Sequence, residues 1–490
     1  MVDSFFVNPA KRAKKRRSTR ESSLAPTKKA SRSAEADEEI TSDSDLSEIS
    51  QDEDESFSSE SDHETAADKR RKLAKEYLDN LQTELQDEHA FDAQDLDREI
   101  ISRRLKQDVA ENQGRLFRFL DNSAVSRAFK SRTKAKYLTS VAACWPYAFS
   151  VSKSAELQRW RLSLDQPPVL EDTVKASNHK KKGNEKYLGH TGEILCIAVS
   201  PNGHHVVTGG RDHRIVVWSS RTLMPIKVFD TRDRHGTVLN MVFRRGSTQL
   251  YVACADLRVR TYDLEQMAQV EILYGHQDEV VDIAALAEER CISVGSRDRS
   301  AIVWKIPEES RLTFRGGDQS RARELDVLEG SIDVCSMLDN QLFVTGSDNG
   351  NISLWSLAKK KPLHIYRHGH GHDPQLTAAQ ASGEANASDV EIPPANPRYI
   401  TALAAIPYSN VFFTGSWDGT VKMWKLSEDQ RHIEFVREIA VGAGVVVRLS
   451  VAEQDAKPNR FVLVAALSRE HRLGRWLTRP GHDAVVSFSV

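Results

Sequence analysis

The sequence predicts an all-β domain built from repeated short strands, set behind a charged tail that does not fold alone. Three observations carry this. The first 66 residues hold few large apolar side chains and sort their charges by sign. From about residue 124 the chain breaks into short apolar runs of strand length, bounded by turn residues. Those runs carry a recurring mark in which a turn Asp stands six residues before a Trp, as in Asp212 and Trp218.

The tail comes first. Residues 1–34 hold ten Lys/Arg against two acids, Asp3 and Glu21, whereas residues 35–64 hold fourteen Asp/Glu and no Lys or Arg. The net charge of −2 over 490 residues conceals this partition. So little apolar surface cannot offset the entropy of ordering, so residues 1–66 read as disordered. Lys11, Arg12, Lys14, Lys15, Arg16 and Arg17 form an extended basic run suited to a nuclear import receptor. The plainer alternative, a solvated arm touching nucleic acid without specificity, is compatible with it. In the acidic block, Ser42, Ser50, Ser59 and Ser61 each stand three residues before an acid, as an acidophilic kinase prefers. Such short matches also recur by chance.

Residues 67–113 change period. Leu73, Tyr77, Leu78, Leu81 and Leu85, then Ile100, Ile101, Leu105 and Val109, recur at helical spacing before Gly114. Two amphipathic helices are expected, either docked on their own domain or offered to a partner. Five cysteines (Cys144, Cys196, Cys254, Cys291, Cys335) lie in apolar runs without CxxC pairing, as reduced thiols of an intracellular protein do. No apolar run reaches the roughly 18–20 residues of a membrane helix. The N-terminus has charge where a secretory signal needs an apolar core.

The main domain, 124–490, is organised by the mark. "TGGRDHRIVVW" (208–218) and "TGSWDGTVKMW" (414–424) share a Thr, an Asp four residues on and a Trp six further. The same ruler reaches Asp298 and Trp304, Asn349 and Trp355, Asp256 and Tyr262, Ser154 and Trp160, and Glu470 and Trp476. Upstream, "GH" at 189–190 and 275–276 and "RHG" at 234–236 take the matching start positions. These seven marks resemble the WD-repeat family, whose units of about 40–45 residues each build one blade of a propeller. The resemblance implies a seven-bladed β-propeller. It also implies a buried hydrogen-bond chain of His, Ser/Thr, Asp and Trp in each blade. His190, Thr208, Asp212 and Trp218 match all four positions, while Asp298, Trp304, Trp355, Thr414, Asp418, Trp424 and Trp476 match singly or in part. Val252, Val294 and Ala466 stand where the hydroxyl is expected, and Asn349, Ser154 and Glu470 where the Asp is. A closed ring needs one more strand to hide its edge. "SAVSRAFKSR" (123–132) is the expected outer strand of the last blade, with "DAVVSFSV" (483–490) as rival or addition. Segments 166–186, 315–325 and 368–397 read as insertions.

Catalytic equipment is missing from this pattern. There is no Walker loop, GxSxG, HExxH or zinc-spaced Cys/His set. His368, His370 and His372 of "HGHGH" could approach a metal, but no carboxylate stands at fixed spacing, so neither metal nor cofactor is expected. Function must then be read from the surface. In WD-type blades the turn between second and third strands opens on one face. Four of these turns carry Arg211, Arg214, Arg258, Arg297, Arg299, Arg469 and Arg472, and blades five and six carry none. Arg315, Arg321 and Arg323 are expected to add to that face. His471, Arg472 and Arg475 crowd "REHRLGRW", read as the turn and third strand of blade seven, with Gly474 leaving room for a close approach. Arginine couples charge to a planar fork that binds phosphate and stacks on unpaired bases. The competing reading pairs each Arg with a nearby acid.

Longer motifs narrow the family. "KLAKEYLDNLQ" (72–82), "RRLKQDVAENQGRL" (103–116), "FRRGSTQLY" (243–251), "YGHQDEVVDIAAL" (274–286), "RDRSAIVWKIPEESRLTF" (297–314) and "EHRLGRW" (470–476) resemble the WD-repeat family specific to the U3 small nucleolar ribonucleoprotein. That resemblance implies a nucleolar, non-enzymatic RNP subunit bound to the box B/C element of U3 small nucleolar RNA. Its implied partners are a kink-turn-binding core protein and small-subunit processome proteins, with pre-ribosomal RNA reached indirectly and no membrane. A protein-only scaffold, such as a chromatin reader or a ubiquitin-ligase substrate receptor, is the alternative.

Overall fold

A computed structural model of the chain describes residues 75, 105, 116–120, 128–176, 189–230, 236–316, 330–377, 392, 394–454 and 460–489. The charged tail with its import run, and Arg321 and Arg323, lie outside these residues. Within 67–113 only Lys75 and Leu105 are described, both with helical backbone.

Among the described residues, 28 strands form seven four-stranded antiparallel sheets. Blade one holds β2 (Leu138–Cys144), β3 (Tyr147–Ser152), β4 (Glu156–Arg161) and β5 (Val169–Lys175). Blade two follows with β6 (Ile194–Val199), β7 (His205–Gly210), β8 (Arg214–Ser219) and β9 (Pro225–Asp230). Blade three is β10 (Val238–Phe243), β11 (Gln249–Cys254), β12 (Arg258–Asp263) and β13 (Ala268–Tyr274). Blade four is β14 (Val280–Ala285), β15 (Arg290–Gly295), β16 (Ser300–Lys305) and β17 (Ser310–Arg315). In blade five stand β18 (Ile332–Met337), β19 (Leu342–Ser347), β20 (Ile352–Ser356) and β21 (Lys359–Tyr366). Blade six has β22 (Ile400–Ala405), β23 (Val411–Ser416), β24 (Thr420–Leu426) and β25 (Ile433–Ala440). Blade seven combines β26 (Val445–Glu453), β27 (Phe461–Ser468) and β28 (Ala484–Ser489) with β1 (Phe129–Arg132).

The first strand of each sheet packs on that of the next, and β26 packs on β2, so the ring closes. Closure is made by β1, which pairs with β28 from Phe129↔Ser487 to Arg132↔Ala484. Both candidate segments are therefore used: 129–132 is the outer strand and 484–489 the third.

Burial follows strand position. Inner strands such as "ILCIAV" and "VVDIAA" are almost wholly buried, because neighbouring blades cover both of their faces. Outer strands are the reverse: six of the seven residues of β5 are exposed. This corrects the reading of 166–186 as an insertion. Its first half is the outer strand of blade one, which shows no alternation because little of it is buried. Blades meet through large aromatics, with Trp160, Trp218, Trp355 and Trp424 fully buried. Gly209 shows how tight the fit is: a Cβ there would lie 2.5 Å from Val238 Cγ1 of the next blade.

Candidate nucleic-acid interface

The blades carry their own internal register. In blade two, Trp218 Nε1–H donates to Thr208 Oγ1 (2.7 Å), which lies 2.7 Å from His190 Nε2. His190 Nδ1 is 3.1 Å from the Asp212 carboxylate, so that nitrogen carries the proton and the chain runs one way from indole to acid. Burial pushes the Asp212 carboxyl up, but His190 and the backbone N–H groups of Thr191 and Arg214 outweigh it and hold the acid below its ordinary range.

Blade four repeats the chain through His276, Asp298 (3.0 Å), Ser293 (2.7 Å) and Trp304 (2.7 Å). Its hydroxyl is not missing, as Val294 suggested. Ser293 precedes Trp304 by eleven positions, against ten from Thr208 to Trp218, so the blade-four hairpin is one residue longer. Blade six uses His370, with Nδ1 3.0 Å from Asp418 and Nε2 2.9 Å from Thr414, while Trp424 donates to Thr414 at 2.8 Å. His370 is thus the blade-six histidine, not a metal ligand. The loop after it moves it 48 residues from Asp418, where blade two has 22. Trp160 and Trp355 donate to Ser150 and Thr345, both at 2.9 Å. Blade three has Tyr262 instead and buries Arg260 against Asp256 (3.0 Å).

The turns between second and third strands share one backbone geometry. The residue after the turn acid, or after the Ser154 and Asn349 that replace it, has positive φ in six blades: Ala155 (56°), His213 (61°), Leu257 (69°), Arg299 (53°), Gly350 (76°) and Gly419 (76°). Five of these turns hold three residues and that of blade four holds four, each ending on a left-handed residue as tight hairpins do. They place Arg211 and Arg297 just before the turn acid, Arg299 just after it, and Arg214 and Arg258 two residues after it, in blades two, three and four. Since every blade repeats the same meander, these turns open on one face.

Some of these arginines are partnered. Arg211 is exposed and lies 3.2 Å from Glu193, a surface pair of the kind worth about 0–1 kcal/mol. Arg214 donates to the Gly189 carbonyl (3.2 Å), and Arg258 stands 4.9 Å over the exposed ring of Tyr274. Arg297 and Arg299 are exposed, and neither makes an ion pair with another described residue. The face also carries acids, with Asp278, Glu279, Asp333 and Asp348 beside Arg297.

Blade seven departs from the others. "REHRLGRW" is neither turn nor strand of the repeat but part of a long loop from Arg469 to Asp483, between β27 and β28. Trp476 is 61% exposed and is no blade-core residue; β28 contains no tryptophan. The loop folds back over the central channel. Arg472 enters it and donates to the carbonyls of Leu239 (2.8 Å) and Val281 (3.1 Å), on blades three and four, while Leu473 packs against Leu195, Leu239 and Val281. His471 and Arg472, expected on the solvent face, are instead buried. Burial, with Arg472 and Lys153 adding to it, drives His471 down to about 3, so the ring is neutral. Arg475 stays outside, 3.4 Å from Glu470. Gly474 makes room for the Trp476 ring, which a Cβ would approach to 2.0 Å.

Beneath the plug lies a polar cluster absent from the sequence-level site. Buried Asp282 of β14 pairs with Arg448 of β26 (3.0 Å) and accepts from the Cys335 N–H (2.9 Å) and Asn240. The available signal was one charge inside each of two apolar strands, "VVDIAA" and "VVVRLS".

Comparison with known proteins adds an independent line. The WD domain, G-beta repeat model matches residues 183–219, 267–305, 323–356 and 392–425, covering the three blades with complete chains and blade five. Ribosomal RNA-processing protein 9 of Saccharomyces cerevisiae is 42% identical over 84% of this chain and 87% of its own. U3 small nucleolar RNA-interacting protein 2 of Homo sapiens is 31% identical over 84% of this chain and 79% of its own. The solved structure of U3-55K superposes with a TM-score of 0.61 at 28% identity, covering 74% of this chain and 98% of that one.

Proposed function

The chain belongs to the family of U3 snoRNP-associated, ribosomal RNA-processing WD-repeat proteins, and on that premise we propose that it is a non-enzymatic subunit of the U3 small nucleolar ribonucleoprotein. In this reading it binds the box B/C region of U3 snoRNA beside a kink-turn-binding core protein. It thereby supports early pre-ribosomal RNA processing in the small-subunit processome of the nucleolus.

The observation that carries the reading is the arc of arginines at equivalent turns of three consecutive blades. Bulged RNA presents splayed phosphates and unstacked bases, which guanidinium groups meet by paired hydrogen bonds and stacking. Arg299 shares its left-handed backbone (φ 53°) with Ala155, His213 and Leu257 of the neighbouring blades, so the turn itself sets that conformation and leaves the guanidinium exposed on the face.

The test is titration of full-length protein with box B/C RNA across a salt series. Arg211→Glu, Arg258→Glu and Arg299→Glu combined should weaken binding at least tenfold. The log–log salt slope should flatten by roughly 0.9 for each phosphate no longer neutralised. Arg299→Gly alone should weaken RNA binding while raising stability by up to about 1 kcal/mol. Unchanged affinity and slope in the triple variant would overturn the reading. Arg472 is left out of the set because its removal would disturb the ring itself.

A further inference from the structure

Beside the plug, the arginine-bearing face opens into a cavity of about 500 Å³. Trp476 and Tyr399 line it, together with Arg297 from the blade-four turn and the carboxylates Asp333 and Asp348 of blade five. Three properties set this cavity apart from an ordinary surface dip.

Trp476 is exposed yet held. Its Nε1–H donates to the Tyr399 hydroxyl (3.0 Å), its ring centroid is 4.7 Å from that of buried His471, and Gly474 leaves the space into which it folds. Tyr399 is itself braced edge-on at 4.0 Å by Trp417. A fixed indole with an uncovered surface is a platform for stacking.

Asp333 is half-committed. Its Oδ1 accepts from Ser331 (3.0 Å) and Ser296 (3.4 Å), whereas Oδ2 receives no hydrogen bond among the described residues. Asp348 Oδ1 is buried without a partner. Burial lifts the Asp333 carboxyl to about 6, which leaves it largely ionised at neutral pH. An acid kept there against its desolvation cost is a group awaiting a donor.

The lining is also mixed in sign. A lysine or arginine from a protein partner would satisfy the carboxylates but meet the guanidinium of Arg297. Guanine carries two adjacent donors, N1–H and N2–H₂, next to two acceptors, O6 and N7. Carboxylates complement the first edge, an arginine the second, and an indole the ring face.

We infer that this cavity takes an unpaired guanine of the bound RNA, stacked by Trp476 and read by Asp333 and Arg297. The inference rests on the RNA-binding reading above and adds base specificity to it.

The experiment uses full-length protein and box B/C RNA in which each unpaired guanine is replaced in turn by inosine, which lacks the N2 amino group. One replacement should weaken binding by about tenfold, the scale of losing one hydrogen bond to a charged group. Asp333→Asn and Trp476→Ala should each weaken the unmodified RNA to a similar extent, with thermal unfolding confirming that both remain folded. In Asp333→Asn the critical inosine should have no further effect. If no inosine position matters, or if Asp333→Asn keeps full affinity, the guanine site is wrong. Should the triple turn variant lose RNA while Asp333→Asn does not, only the cavity assignment falls. Should neither lose it, the RNA face falls as well. Binding of a nona-arginine peptide that is abolished in Asp333→Asn, with RNA affinity intact, would assign the cavity to a basic protein segment instead.

Discussion

Blade two keeps its strands in register with four side chains drawn from residues 190 to 218, all in one buried chain. Blade seven has Ala466 and Glu470 at the hydroxyl and acid positions and no tryptophan in β28. It is tied down from elsewhere. β1 arrives from the other end of the domain, and Asp483 accepts from the backbone of Tyr137 and Arg469. Arg472 reaches two other blades through their carbonyls. The same four-stranded architecture is therefore held by a local polar chain in one place and by long-range ties in another.

The long-range tie should be the more costly to cut. Arg472→Ala leaves two channel carbonyls unpaired and empties the space of a buried guanidinium. A destabilisation of about 3 kcal/mol is expected, with faster proteolysis between 469 and 483. Denaturant unfolding measures it, and a change below about 1 kcal/mol would mean that the plug rests on the ring without supporting it. Thr208→Val in blade two removes the hydroxyl that serves both Trp218 and His190, stranding two buried polar groups. About 2 kcal/mol is expected. Adding Trp218→Phe should then cost less than it does in the wild type, since the indole no longer has its acceptor. Simple additivity would show that the chain does not act as a unit.

The smallest effect has the opposite sign and contrasts two kinds of acid. Asp212, Asp298 and Asp418 are held low by their histidines and backbone N–H groups despite burial, so their contribution is present at neutral pH and lost in acid. Asp333 is raised to about 6 by burial, with Asp348 adding to it. Its native form binds a proton more tightly than the unfolded chain, so stability falls as pH rises from about 4 to 6. Asp333→Asn should therefore stabilise by about 1–2 kcal/mol above pH 6, a gain that disappears below about pH 4. Unfolding midpoints at pH 4 and pH 7.5 decide the matter. Equal shifts at both would show that the carboxyl is not strained.

The same contrast explains what could be read from the sequence. The seven-sheet ring and the arginine-bearing turns of blades two, three and four were legible because each is written within some thirty residues or in a simple repeat, while the closing strand, paired across some 350 residues, was legible only through the need to hide an edge. Trp476 misled because "GRW" satisfies the spacing rule although its loop leaves the sheet. A spacing rule cannot see whether a strand intervenes. Ser293 was hidden by one extra residue in a hairpin, and His370 by the loop that separates it from its blade. β5 lacked a pattern because its side chains face solvent. The channel cluster of Asp282 and Arg448 joins positions 166 residues apart, a pairing no local period records.

Ring closure has a kinetic side. Among the 28 described strands β1 is the first to leave the ribosome and its partner β28 the last, about 350 residues later. At about 5–20 residues per second the early strand waits on the order of 20–70 s without its neighbour. Six blades can be assembled and locked from within during that interval, but the circle is completed only once β28 has emerged. Chains cut short before that strand are thereby distinguished from those that carry it by topology alone.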